Sequence, residues 1–120
     1  MGIENNEAII ATTWNKEVAE KTREWIRELP TAWQQLFAII PSIVNHKQTI
    51  IFAPDGSKKG WDIAEQGQRF RNEFFDLLKS FDYDDGSSPL DFIEVGYGEF
   101  GQKVLRGNCK NCYSDADYAE

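Results

Sequence analysis

Histidine, cysteine and long apolar runs are scarce in this 120-residue chain. His46 is the single histidine, and Cys109 and Cys112 are the two cysteines. A nucleophilic Cys–His pair would have to join His46 to a distant C-terminal cysteine, and nothing local supports one. No apolar stretch approaches the ~20 residues needed to cross a bilayer. Residues 1–7 are polar and acidic, unlike a secretory signal, so a cytosolic location is expected. Basic residues are also scarce. Thirteen Lys and Arg against twenty Asp and Glu leave a net charge of −7, which disfavours nucleic acid and anionic membranes as partners.

Two ligand-binding templates are absent as well. A P-loop requires G-x-x-x-x-G-K-[ST]; the stretch Gly56-Ser57-Lys58-Lys59-Gly60 has neither that length nor the terminal Lys-Ser. An EF-hand aligned on Gly86 would place Phe81 and Tyr83 at its first two ligand positions. Cys109-x-x-Cys112 has the spacing of half a zinc site, but a structural site needs four ligands. Three readings stay open for this pair: free thiols, a zinc or disulfide link between two chains, and redox chemistry.

What the chain does have is enough apolar surface for one core. Eight Phe, four Trp and four Tyr in 120 residues suit a single domain. The expected organisation is a flexible N-terminus over 1–11, one α+β domain over 12–106, and a polar C-terminal tail over 107–120 carrying the CxxC. Over 15–29, Val18, Thr22, Trp25, Ile26 and Leu29 follow helical spacing, and Pro30 ends the helix. Thr31 is expected to cap a short helix that buries Trp33, Leu36, Phe37 and Ile40 before Pro41. Ile43-Val44 and 49–52 then read as two strands around the turn 45–48. Asp62 and Glu65 resemble a capping box at the start of a helix reaching Lys79, which buries Ile63, Phe70, Phe74, Leu77 and Leu78. Gly67 inside it costs about 1 kcal/mol relative to Ala, which close packing against another backbone would justify. Residues 90–97 alternate as a strand, returning through 98–101 into 102–106. The fold expected is a small antiparallel sheet of about four strands, with two main helices packed on one face.

Two places carry candidate binding residues. The first is the loop 54–61, between a β-branched strand and a helix N-terminus. Lys58 and Lys59 supply charge there, Ser57 a hydroxyl, Gly56 and Gly60 close backbone approach, and Trp61 a contact surface. Asp55 and Asp62 oppose a bare phosphate, and a capped turn with solvated lysines explains the same residues. The second lies in the most acidic third of the chain, which carries −6 of the −7 from residue 82 onward. It comprises Tyr83, Asp84, Asp85, Asp91, Glu94, Tyr97 and Phe100, carboxylates interleaved with aromatics as in protein interfaces. A solvated acidic edge that blocks strand pairing is the plainer account.

The strings Phe52-Ala53-Pro54-Asp55-Gly56-Ser57-Lys58-Lys59-Gly60-Trp61 and Asp85-Gly86-Ser87-Ser88-Pro89-Leu90-Asp91-Phe92-Ile93-Glu94-Val95-Gly96-Tyr97-Gly98 resemble strings in small proteins of bacteriophages and prophages. That resemblance implies a bacterial host cytoplasm and a small accessory role, and it transfers no catalytic residue. The function expected is a non-catalytic interaction protein that binds a basic protein surface, such as a phage-encoded inhibitor of a host factor or an immunity-type protein. A small-ligand or nucleotide-binding protein using 55–62 is the alternative. A metal-dependent enzyme built on Asp84, Asp85 and Asp91 ranks last, and neither a cofactor nor a metal is expected.

Overall fold

The alternation of Glu7-Ala8-Ile9-Ile10-Ala11-Thr12-Thr13 supplies apolar side chains to both faces of a strand, and this segment becomes the centre of the sheet. In the computed structural model, which describes residues 5–58, 60–99 and 101–109, β1 (Asn5–Thr13) is followed by α1 (Lys16–Arg27) and α2 (Thr31–Gln34). Then come β2 (Phe37–Pro41), β3 (Gln48–Phe52), α3 (Asp62–Lys79), β4 (Leu90–Gly98) and β5 (Gly101–Gly107). The strands among these residues form one antiparallel sheet in the order β2-β3-β1-β4-β5.

The α+β architecture and the β4–β5 pairing agree with the sequence, but the sheet has five strands. The extra one is β1. Residues 5–11, expected to be flexible, pair with β4, and from Ile9 onward with β3 on the other side. Both partners are remote in sequence, so no hairpin signal announces the strand. Residues 1–4 and 110–120 lie outside the described residues.

β2 is the second difference. Thr31 is the first residue of the helix and not its cap, which is Pro30; the helix stops at Gln34, and Phe37–Pro41 is extended against β3. The hairpin strand is thus 37–41 and not Ile43-Val44, which sit exposed in its turn. Pro41 is tolerated because β2 is an edge strand. The turn is longer and earlier than the expected 45–48: it runs over 42–47, Gln48 already belongs to β3, and Asn45 and His46 take φ +67° and +52°.

Both long helices cover one face. The register places Ile9, Ala11, Ile50, Phe52, Leu90 and Phe92 inward, against Val18 and Ile26 of α1 and Phe70, Phe74, Phe75 and Leu78 of α3. Phe74 ties the layers together. Its ring meets Trp25 at 5.4 Å, Phe37 at 5.3 Å and Phe52 at 6.0 Å, within the range of favourable aromatic pairs. Asn15 caps α1, accepting from the N–H groups of Glu17 and Val18 at 2.9 and 3.3 Å. Buried Thr13 donates to the Pro89 carbonyl at 2.8 Å and so anchors the loop that enters β4.

Candidate functional site

Trp61, not Asp62, is the N-cap residue of α3, and no side chain bonds the helix end. Asp62 and Glu65 sit one position further in than a capping box requires, though both still occupy the favourable first turn. Trp61 is 50% exposed, so it is not a core plug. Ile63, expected in the core, is exposed as well. The preceding loop is closed by Asp55, whose Oδ1 accepts from the Ser57 N–H at 2.8 Å and from the Ser57 hydroxyl. Its other oxygen pairs with Arg71 Nη1 at 3.3 Å.

Arg71 is the hinge of this region, and sequence reasoning missed it. Gly67, Phe70, Arg71, Phe74, Phe75 and Leu78 are the buried stripe of α3, so the guanidinium occupies a core position. It lies 3.0 Å from Glu7 on β1 and 3.7 Å from Glu94 on β4, as well as against Asp55. Glu94 also accepts from Arg106 on β5. Arg106 in turn donates to Asn72 at 2.7 Å and stacks over the Phe75 ring at 4.3 Å. Glu94 is therefore no part of an exposed acidic edge. The alternation that buries Leu90 and Phe92 turns it inward, where two arginines neutralise it. The signal was present: an arginine at the helical spacing of a phenylalanine stripe demands a buried carboxylate.

Gly67 is packed closely, as its cost in a helix interior suggested, but against side chains and not backbone. A Cβ there would overlap the Asp55 carboxylate and crowd Trp33.

Beside this cluster opens a cavity of about 470 Å³, lined by Glu7, Asp55, Ser57, Glu65, Gln68 and Arg71 among others. Lys58 is half-buried outside that lining, and Lys59 lies outside the described residues. Three carboxylates against one already paired guanidinium make this a poor receptor for a phosphate.

The acidic and aromatic candidates divide between the two ends of the sheet. Tyr97 lies at the end of β4 that faces the 54–61 loop side, paired with Asn6 at the start of β1. Asp91 pairs with Thr12 near the other end, six residues away along β4, or about 20 Å at ~3.3 Å per residue. Phe100 lies outside the described residues. Contiguity in sequence concealed this separation, because a strand carries its two ends apart.

At the Asp91 end, the loop 82–89 is internally bonded. The Tyr83 N–H donates to the Ser87 carbonyl at 2.7 Å, and the Gly86 N–H donates to the Tyr83 carbonyl at 2.9 Å. The Ser87 hydroxyl, and then its backbone N–H, donate to Asp85 and hold that carboxyl below its ordinary value. Tyr83 lines a small hollow with Asn15, Glu17 and Lys21 at the start of α1, next to Trp14. Trp14 is 52% exposed, and Ile43 and Val44 stand out in the β2–β3 turn at this same end. Asp82, Asp84, Asp85 and Asp91 are exposed there too. Exposed Trp14 carries no sequence signal that separates it from a core tryptophan. Asn108 closes the far side, accepting from the Phe92 N–H at 2.9 Å and donating to the Leu90 carbonyl at 2.8 Å. Cys109 follows it and is exposed, whereas Cys112 lies outside the described residues.

Neither family models, nor curated proteins, nor solved structures match this chain. Its reading therefore rests on geometry. Among the described residues, no group of three or more His, Cys, Asp or Glu side chains is placed to hold a metal ion. No helix among them is long and apolar enough to cross a membrane.

Proposed function

We propose that the protein is a non-catalytic binding protein that masks a basic surface of a protein partner. One observation carries this reading: Trp14, Ile43, Val44 and Tyr83 are exposed at the same end of the sheet as Asp82, Asp84, Asp85 and Asp91. Aromatic and aliphatic anchors supply desolvation energy at an interface, and surrounding carboxylates steer a basic partner and fix its register. Covering such a surface in a bacterial cytoplasm is the work of a phage-encoded inhibitor of a host factor or of an immunity-type protein. The acidic lining of the loop cavity argues against the nucleotide-binding alternative.

Capture from bacterial lysate with the parent, with Asp84→Lys/Asp85→Lys and with Trp14→Ala tests the proposal. The parent should retain a basic protein that elutes with salt. Charge reversal should slow its association, and Trp14→Ala should speed its release. Capture indifferent to ionic strength and to all these substitutions would remove this end of the sheet from consideration.

A further inference from the structure

β5 forms one edge of the sheet and adds no residue to the core. None of its seven residues is buried, whereas Leu90, Phe92, Glu94 and Gly96 of its partner β4 are. Apart from the backbone ladder, what fastens β5 is polar and sits at its C-terminal end. Arg106 donates to Glu94 and Asn72 and stacks on Phe75. Just beyond the strand, Asn108 bonds to Leu90 and Phe92 through its side chain and its N–H.

Glu94 is the group that can take two arrangements. Its carboxylate is 2% exposed and faces two cations, Arg106 on one oxygen and Arg71 on the other. Only the first contact is a hydrogen bond. Glu94 Oε2 and Arg71 Nε are buried 3.7 Å apart, and neither has a hydrogen-bond partner among the described residues, although Glu7 stands 3.0 Å from that Nε. Asn72 is placed similarly, since it accepts from Gln68 at 3.1 Å as well as from Arg106.

We infer that β5 is a latch strand: it leaves β4 as a unit while the other four strands stay folded, and Arg71 takes over Glu94 as Arg106 withdraws. An opening that stranded Glu94 would be opposed by the cost of a buried, unpaired charge. Two arginines sharing one carboxylate remove that obstacle. Arg106 is already 32% exposed and returns to water, and Asn72 keeps Gln68. What opening still breaks is the β4–β5 ladder, the Asn108 bonds and the cover over Phe75. Segments with so few buried contacts open at a lower free energy than the whole fold. The open form bares the β4 edge, to which an extended chain can add as a strand.

Native-state hydrogen exchange on the intact chain, read amide by amide, tests the latch. In the parent, the β5 amides bonded to β4 should exchange together, at least about tenfold faster than those of Ile9 and Ala11. Ile50→Val weakens the core that survives opening, so it should speed exchange in β1 and leave β5 unchanged. Arg71→Met should move the two in opposite directions. It destabilises the whole fold and speeds β1, but it removes the second partner of Glu94 and slows β5. Arg106→Gln alters a partly exposed side chain and keeps the test valid should Arg71→Met fail to fold. It should speed β5 exchange about tenfold, as losing a charged hydrogen bond does, and shift the NMR signal of the Arg71 Nε–H as that group gains Glu94. Equal exchange in β5 and β1 of the parent, or β5 following β1 in Ile50→Val, overturns the latch. β5 exchange not slowed in folded Arg71→Met, or an Arg71 signal unmoved in Arg106→Gln, overturns the exchange of partners on which it depends.

Discussion

Gly67 on α3 lies against the Asp55 carboxylate, which occupies the space a β-carbon would need. That carboxylate cannot simply move aside, because it holds the Ser57 hydroxyl and N–H on one oxygen and Arg71 on the other. Gly67→Ala gains about 1 kcal/mol of helix propensity. It should nevertheless destabilise the protein by about 1–3 kcal/mol, as overpacking does. Urea unfolding would show a lower midpoint at an unchanged slope. Adding Gly67→Ala to Asp55→Ala should cost less than adding it to the parent, since the overlap is then relieved. A more stable Gly67→Ala protein would contradict the packing described here.

Among the described residues, Arg71 is the one cation that Glu7 and Asp55 share, and its removal leaves their carboxylates facing one another. Arg71→Ala should cost about 3–5 kcal/mol, the range for breaking a buried charge pair from one side. Arg71→Met keeps the hydrophobic stem and should lose less. The two thermal melts, compared at one pH, separate charge from packing. A shift of equal size for both variants would locate the stabilisation in the charge and not in the stem.

Asp85 makes a pH prediction whose sign follows from its lowered value. The ordinary aspartate value is 3.8. Because the folded value lies below it, the contribution is fully present above the unfolded value. It is lost as pH falls through the folded one. The window is thus acidic, and the group stays charged throughout the neutral range. An NMR titration should place the Asp85 midpoint below 3.8, and Ser87→Ala should raise it partway, since the backbone N–H of residue 87 still donates. A midpoint unmoved by Ser87→Ala would assign the shift to something other than the hydroxyl.

The elements that the sequence showed plainly are those whose signal is local. α1 and α3 carry full helical periodicity, Pro30 marks a stop, and β4 alternates before glycines turn the chain back into β5. β1 was missed because its hydrogen-bonding partners, 48–52 and 90–98, lie far along the chain. β2 was displaced because Phe37-Ala38-Ile39-Ile40 is too short an apolar run to reveal its period, and Pro41 reads as a helix stop. At the candidate site, the 54–61 loop and the acidic end were both visible as composition. Their separation was not, and neither was Glu94's partnership with Arg71 and Arg106. Those depend on which strand face meets α3, and register decides that.

The position of β1 has a consequence for how the chain is made. It leaves the ribosome before the other seven elements, yet it pairs with strands that emerge much later. Its pairing with β4 is the most sequence-distant contact between neighbours in the sheet, the kind that slows folding. Until residues 90–98 are synthesised, Ile9 and Ile10 belong to a strand with an open edge, a template for aggregation. A chain truncated ahead of β4 should therefore be the species that holdase chaperones bind during translation, while the chain that includes β5 escapes them.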